Sequence, residues 1–308
     1  GTDTDFENRG GDHHDGMEYF GLNAAGTAPD VAGSERGLLA LNHEATSNSG
    51  LASTYVHADG GTDTLPRPDA EVAKEIPLHG LSVIEVRKSN GRFAYVQDSA
   101  YNRRVTPLTP VRLNGPVRGN ALVATKFSAD GTQARGTLNN CGTGRTPWGT
   151  FLTGEENWAG YFTRSSTDDT ARGGAAANSV VSLKRYGRNA GAASRHGWES
   201  AGTTEAERWN LSVIGASATD DFRNELNTFG YIVEMDPYEK TQALRKRTAL
   251  GRFAHESAAF GKPVAGRPLA VYMGDDSRGE YVYKFVSSRN WNPRDAGPAN
   301  RITTGDPY

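Results

Sequence analysis

Five short apolar runs, each ending near an acid, an amide or a histidine, limit most strongly what this chain can fold into. They occupy residues 37–42, 150–156, 230–236, 251–256 and 268–276. Short apolar runs bounded by turn residues are typical of buried β-strands, since a helix needs a longer periodic pattern. Randomly placed surface acids would not select strand ends so regularly. The sequence therefore predicts a β-sheet protein with a polar site built from strand ends.

Two hairpin patterns indicate how such strands pair. Residues 81–86 and 92–97 flank Asn90-Gly91, and residues 271–273 and 281–286 flank a longer turn. Asn-Gly favours a tight hairpin because both residues accept a positive φ. Glycine supplies 37 of the 308 residues, well above the usual share of about 7%, as expected for many turns. Small antiparallel sheets recurring along the chain predict an all-β fold, a β-propeller with inner strands lining a channel.

Residues 1–308 are expected to form part of a single propeller domain. The stretch 164–205 is polar, rich in Ala and Gly and weakly periodic. We interpret most of it as an insertion loop, with a possible strand at 180–186.

Candidate metal-ligating residues are concentrated between residues 138 and 158. This stretch contains the chain's single cysteine, Cys141, and the acids Glu155 and Glu156. A four-residue strand spans roughly 13 Å, so a turn before it could bring the thiol back beside the carboxylates. A thiolate with a glutamate suits a transition metal such as iron, whereas oxygen ligands suit calcium. Arg145, in the same loop, could pair bidentately with a phosphate.

A mixed metal cluster of this kind is suited to a dianionic phosphate, because metal ions bind its oxygens and neutralise the leaving group. His13, His14 and Asp15 could also ligate a metal, although adjacent histidines in a glycine-rich loop are more often solvated.

The composition gives no reason to expect a macromolecular or membrane partner. The formal net charge is −2, so we expect neither nucleic acid nor a membrane surface to be bound. No run of 18 apolar residues occurs, and Walker, dinucleotide-binding and Gly-x-Ser-x-Gly motifs are absent.

Several motifs resemble the PhoX-type alkaline phosphatases. They are Gly-Leu-Leu-Ala-Leu-Asn-His-Glu (37–44), Asn-Cys-Gly-Thr-Gly-Arg-Thr-Pro-Trp-Gly-Thr-Phe-Leu-Thr-Gly-Glu-Glu-Asn-Trp (140–158), Val-Glu-Met-Asp-Pro (233–237), Arg-Thr-Ala-Leu-Gly-Arg-Phe-Ala-His-Glu-Ser (247–257) and Tyr-Met-Gly-Asp-Asp (272–276). The resemblance runs from about residue 13 to about residue 290, and the block around Cys141 is its most specific part.

The resemblance implies a secreted, monomeric, six-bladed propeller, exported folded by the twin-arginine route to the periplasm or the cell exterior. It implies hydrolysis of phosphate monoesters, for phosphate scavenging, at a cluster of iron (Fe³⁺) and calcium (Ca²⁺). Cys141 would be an iron ligand, and Glu156 and Glu234 would be cluster carboxylates. A further three acids match motifs of the family and are assigned to the metal site with them: Glu44, Glu256 and Asp275. We expect Cys141, Glu156 and Arg145 to take part in catalysis.

The chain departs from the family in lacking any Arg-Pro-Glu sequence, which in the family brings a phosphate-binding arginine and another metal carboxylate. It begins without Met and carries strands for only part of a ring. We therefore expect it to be the amino-terminal part of a larger enzyme, monomeric once a carboxy-terminal segment completes it.

Two alternatives remain open on the sequence alone. A calcium-dependent propeller lactonase or esterase would use channel carboxylates and a histidine without needing Cys141. A non-catalytic propeller would serve as a binding module, with calcium holding its Asp-rich loops.

Overall fold

Three open β-sheets make up most of the regular structure in the computed structural model, which describes residues 5–296. The first sheet contains β1 (His14–Gly21), β2 (Arg36–His43), β3 (Gly80–Ser89), β4 (Arg92–Tyr95) and β5 (Arg103–Val105). Its strands pair antiparallel in the order β1-β2-β3-β4, and β5 also pairs with β3. The turn between β3 and β4 is the predicted Asn-Gly hairpin, with both residues at positive φ.

The second sheet carries most of the residues that position the site. Its strands are β6 (Pro110–Asn114), β7 (Gln133–Arg135), β8 (Asn140–Arg145), β9 (Phe151–Glu155), β10 (Ile232–Met235) and β11 (Arg245–Arg247). They lie in the order β7-β6-β11-β10-β9-β8. The pair β6–β11 is parallel and the other pairs are antiparallel. The third sheet, β12 (Ala259–Phe260), β13 (Pro268–Gly274) and β14 (Val282–Asn290), is antiparallel and includes the second predicted hairpin.

The second sheet is buried on both faces. Phe151 and Val233 join an apolar core with Phe20 and Leu38 of the first sheet. Their neighbours Leu152 and Ile232 join another core with residues of the third sheet. Successive side chains of a strand point to opposite faces, so both faces of this sheet need apolar residues. This explains why adjacent residues are both apolar in each strand, Phe151 and Leu152 in β9 and Ile232 and Val233 in β10.

Short helices lie between the strands. The α-helices are α1 (Asp69–Glu75), α2 (Asp168–Ala171), α3 (Asn178–Arg185) and α4 (Thr204–Glu207), and 3₁₀ turns occur at Phe6–Asn8, Ile76–Leu78, Ala121–Val123, Trp158–Tyr161, Trp198–Ala201, Glu225–Thr228, Thr248–Leu250 and Pro293–Ala296. None of the helices within 5–296 has the length and apolar character that crossing a lipid bilayer requires.

The predominantly β character predicted from the sequence is confirmed, with two local corrections. The possible strand at 180–186 is wrong, because α3 covers most of it. Val180 and Leu183 are buried while Val181 is exposed, which is a helical and not an alternating pattern. The predicted strand at 251–256 is also wrong. There the chain crosses the face of the second sheet, and only an isolated bridge joins His255 to Asp275.

Candidate metal centre

Cys141 lies on a β-bulge at the edge of the second sheet. Asn140 is opposite Glu155 and Thr143 is opposite Thr153, so Cys141 and Gly142 together face one residue of β9. A bulge bends its strand locally and is often found beside active sites. The bulge is held by Asn42 of β2, whose amide donates to the Cys141 carbonyl at 2.5 Å and accepts from the Thr153 hydroxyl at 2.9 Å.

Two glycines allow neighbouring segments to approach this cysteine closely. A Cβ atom on Gly142 would lie 2.0 Å from the backbone oxygen of Glu256. A Cβ atom on Gly16 would lie 2.8 Å from the backbone oxygen of Cys141. Because such contacts exclude any side chain, both positions require glycine for this packing. Asp15 on β1 and Glu256 are thereby placed next to the thiol.

Six side chains converge at this point, and we call them the acidic cluster: Asp15, Glu44, Cys141, Glu156, Glu256 and Asp276. The Cys141 sulfur lies 2.9 Å from Asp15 Oδ2 and 3.3 Å from Glu256 Oε2. Glu44, Cys141 and Glu156 each offer a ligand atom, with all three atoms within 4.8 Å of one another. The same holds for Glu156, Glu256 and Asp276. Glu156 belongs to both groups and links them.

Asn139 connects two of the segments that carry these acids. It has a left-handed φ of 52°, and its carbonyl accepts from the Glu156 N–H at 3.0 Å. Its side-chain amide donates to the Glu44 carbonyl at 3.1 Å and accepts from the Asn157 N–H at 2.7 Å. Asparagine tolerates a left-handed conformation better than most residues. The turns that follow β2 and β9 are therefore tied together by one side chain.

Glu256, in the segment that crosses the second sheet, and Asp276, after β13, are positioned by backbone hydrogen bonds. The Glu256 N–H donates to the Gly274 carbonyl at 3.2 Å, and the Asp276 N–H donates to the Ala254 carbonyl at 3.1 Å. These two hydrogen bonds join the segment 251–256, which crosses the second sheet, to the end of β13 in the third sheet.

The electrostatics of the acidic cluster favour a bound cation. Burial raises the pKa of Glu156 to about 8, and the neighbouring Asp276, Glu256 and Glu44 carboxyls add to the shift. Burial and then Asp15 raise the pKa of Glu44, and burial together with the adjacent Asp15 and Glu256 strongly raises the pKa of the Cys141 thiol. Within residues 5–296, none of the five carboxylates forms an ion pair with Lys, Arg or His. Five carboxylates and a thiol without an ion-paired cation form a donor set that could hold metal ions.

The predicted site residues divide into two groups. The structure brings together Cys141, Glu156, Glu44 and Glu256. Asp15 also lies in the cluster, but the two histidines before it do not. His13 contacts Ser47, and the ring of His14 packs against the ring of His43.

The other three predicted residues are placed elsewhere. The Glu234 carboxylate accepts from Trp148, Thr150 and Arg247, so it is already neutralised inside the second sheet. Arg145 donates to the Tyr19 carbonyl and lies over the Phe20 ring, at 4.7 Å from its centroid. Both positions follow from strand geometry. Glu234 pairs with Leu152, three residues along β9 from Glu155, a separation of about 10 Å. Arg145 is four residues beyond Cys141 on β8.

Asp275 is the third residue outside the cluster, and its neighbour Asp276 takes the place predicted for it. The Asp275 carboxylate accepts from the Ser277 N–H at 3.0 Å, which closes a local turn. The sequence marks both aspartates at the end of this strand, but it does not indicate which of them faces Glu156. Asn42 and Asn139, which fix the geometry, carry no comparable signal.

Comparisons with known proteins find similarity over nearly the whole chain. The family model described as Alkaline phosphatase PhoX matches residues 2–305. A solved structure, Pseudomonas fluorescens PhoX in complex with vanadate, a transition state analogue, is similar with a TM-score of 0.78 and 36% sequence identity. The alignment covers 98% of this chain and 45% of that one, so this chain spans less than half the length of the solved protein. A search of curated proteins found no match. The family match over nearly the whole chain shows that this protein belongs to the PhoX alkaline phosphatase family.

Proposed function

We propose that this chain supplies the metal-binding part of a phosphatase that hydrolyses phosphate monoesters. The observation that carries the proposal is the acidic cluster, two ligand groups that share Glu156, in a chain of the PhoX family. The solved relative is described with vanadate, a transition state analogue, and phosphoryl transfer is the reaction whose transition state vanadate imitates. Because this chain covers 45% of that relative, the activity is proposed for the enzyme that contains it.

The proposed metals are Fe³⁺ and Ca²⁺, distributed according to ligand chemistry. Cys141 offers sulfur and would hold iron together with Glu44 and Glu156, since thiolates select transition metals. Glu156, Glu256 and Asp276 offer only oxygen, which suits calcium. When bound, such ions polarise the phosphoryl group and stabilise the attacking and leaving oxygens. Glu156 would release its proton on binding and contribute to both ligand groups, while Asn42 and Asn139 keep the ligands oriented.

The fold and location are proposed on the same basis. The three sheets pack face to face through shared cores, as neighbouring blades of a propeller do. We propose a six-bladed ring with the acidic cluster in its channel, a monomeric enzyme, and export to the periplasm or the cell exterior to scavenge phosphate.

Metal analysis combined with two substrates tests the function. The purified protein would be stripped with a chelator, reloaded with iron and calcium together or with calcium alone, and assayed with p-nitrophenyl phosphate and with a lactone. Phosphate release that needs both metals and is lost in Cys141→Ser supports the proposal. Glu239→Gln is the matched control, since this exposed carboxylate accepts its hydrogen bonds from Thr241 in its own turn. Lactone hydrolysis with calcium alone would instead indicate the lactonase, and binding of neither metal would indicate a non-catalytic module.

A further inference from the structure

One arginine near enough to the acidic cluster for its charge to act on Glu44 has no carboxylate partner within residues 5–296. Arg195 is exposed, and its backbone N–H donates to the Gly160 carbonyl at 2.8 Å. Its guanidinium lies over the Tyr161 ring, 4.9 Å from the centroid, and donates to the Tyr161 hydroxyl at 3.2 Å. Within the described part of the chain it forms no ion pair, although most buried or half-buried arginines of the second sheet and of residues 164–225 do. Its positive charge acts on Glu44 of the cluster.

The Tyr161 hydroxyl is held by a buried histidine. His79 Nδ1 faces the carbonyls of Glu75 and Ile76 at 3.2 and 3.3 Å, so these partners assign the proton to Nδ1. His79 Nε2 is then an acceptor, and the Tyr161 hydroxyl, 3.0 Å away, donates to it. Burial lowers the pKa of His79 to about 3, which keeps the ring neutral. The oxygen of Tyr161 is therefore left to accept hydrogen bonds, and it faces Arg195.

The same oxygen connects Arg195 to the metal ligands. Tyr161 also accepts from Asn139 Nδ2 at 3.3 Å, and Asn139 holds the Glu44 carbonyl and the Glu156 N–H. A single network thus runs from the guanidinium through Tyr161 and Asn139 to the turns that carry two ligands. Tyr161 and His79 are almost fully buried, which fixes their end of the network. An ordinary surface arginine would have no such support.

We infer that Arg195 binds the phosphate group of the substrate and of the released inorganic phosphate, with Tyr161 and His79 as positioning residues. The inference rests on the proposed function. One of its nitrogens is engaged by Tyr161, and the remaining donors of the planar guanidinium are available for a bidentate contact with two phosphate oxygens. A dianion approaching five carboxylates also needs positive charge beyond the metals. Arg145, the arginine that the sequence indicated for this role, is engaged with β1 instead.

Binding of inorganic phosphate to the metal-loaded protein tests the inference without depending on turnover. We expect Arg195→Gln to weaken phosphate binding in equilibrium dialysis by about ten- to hundredfold, the usual effect of losing a charged hydrogen-bond donor. Arg195→Lys should recover only part of this loss, since an ammonium cannot bind two oxygens side by side. Arg92→Gln, at an exposed hairpin tip, is the matched control and should bind phosphate like the unmodified protein. Iron and calcium contents should be equal in all four proteins.

The kinetic assay separates this inference from the proposed function. With p-nitrophenyl phosphate, Arg195→Gln should raise KM and the inhibition constant for phosphate together. If the unmodified protein hydrolyses the ester and Arg195→Gln binds phosphate equally well, the inference is wrong and the function stands. If the metal-loaded unmodified protein binds phosphate through Arg195 but hydrolyses nothing, the function is wrong and the inference stands. Failure of the unmodified protein to bind phosphate would overturn the inference.

A double-mutant cycle tests the positioning role. Tyr161→Phe removes the oxygen that holds the guanidinium and should raise the dissociation constant for phosphate about three- to tenfold. In Arg195→Gln the same change should have almost no further effect, because the group being positioned is gone. Equal effects of Tyr161→Phe in both backgrounds would contradict positioning.

Discussion

Glu155 and Glu156 are consecutive residues, but their carboxylates lie in opposite environments. Glu155 is fully buried and paired with Lys246 Nζ at 2.8 Å, and it also accepts from the Gly230 and Tyr231 N–H groups. Glu156 has no cationic partner in the described chain and faces other acids. A strand directs successive side chains to opposite faces. One glutamate therefore stabilises the sheet, and the other is left available for a metal.

The first prediction concerns the pH dependence of the metal-free protein. The pKa of Glu156 rises from 4.5 to about 8 on folding, so between these values the folded protein binds one proton more than the unfolded chain. The free energy of unfolding should therefore fall as pH rises from about 4.5 to about 8, and this contribution should be level above that range. In Glu156→Gln this contribution should be absent. Thermal unfolding in the presence of a chelator, at several pH values, measures it.

The difference between the two proteins is the informative quantity, because other titrating groups are common to both. Adding calcium should reverse the trend for the unmodified protein, since metal ligands must be deprotonated and binding then strengthens with pH. Unfolding temperatures that follow parallel pH curves in both proteins would contradict the assignment of the raised pKa to Glu156.

Sequence patterns predicted the parts of this fold that depend on local rules. The hairpin at Asn90-Gly91 and the strands β2, β9, β10 and β13 each follow from apolar runs and turn residues. The segment 251–256 is not the strand that its sequence predicts, because its backbone lies on Gly142 and Gly154 and not along a strand edge. That packing depends on residues about a hundred positions away, which no local pattern contains.

The sequence indicates part of the candidate site, as it indicates part of the fold. Acids at strand ends indicated Glu44, Glu156 and Glu256, and the unusual loop indicated Cys141. Glu234 belongs to the same sequence pattern, but a buried arginine brought in by β11 already neutralises it. Pairing between distant strands decides this, so the sequence alone could not separate Glu234 from Glu156.

The second prediction is that Cys141→Ser loses iron and phosphatase activity while the protein remains folded. A hydroxyl is a much poorer ligand than a thiolate, so we expect at least about a tenfold loss of iron affinity. Cys141 lies outside the apolar cores, and the metal-free variant should unfold within about 0.5 kcal/mol of the unmodified protein. Elemental analysis and thermal unfolding measure the two effects. A Ser variant with full iron content and activity would show that the sulfur is not a ligand.

The third prediction separates two adjacent aspartates. Asp276→Asn should lower calcium content and kcat by about tenfold or more, because it removes a charge from the group with Glu156 and Glu256. Asp275→Asn should change both by less than about twofold, since its side chain serves a local turn and an amide oxygen still accepts from Ser277. Calcium analysis of the two purified variants gives the comparison. The opposite ranking would return the ligand role to Asp275.

The fourth prediction is that Glu234 acts on stability and not on metal binding. Its carboxylate is fully buried and accepts from Arg247 Nε at 2.6 Å, so Glu234→Gln removes the negative charge from a buried ion pair. Losing one partner of a buried ion pair costs about 3 to 5 kcal/mol. We expect chemical denaturation to show a loss of this size in Glu234→Gln with unchanged iron and calcium contents per folded molecule. Arg247→Met should cost less in the Glu234→Gln background than alone, since the two charges stabilise each other. Glu234→Gln with normal stability and reduced metal content would place this residue in the metal site after all.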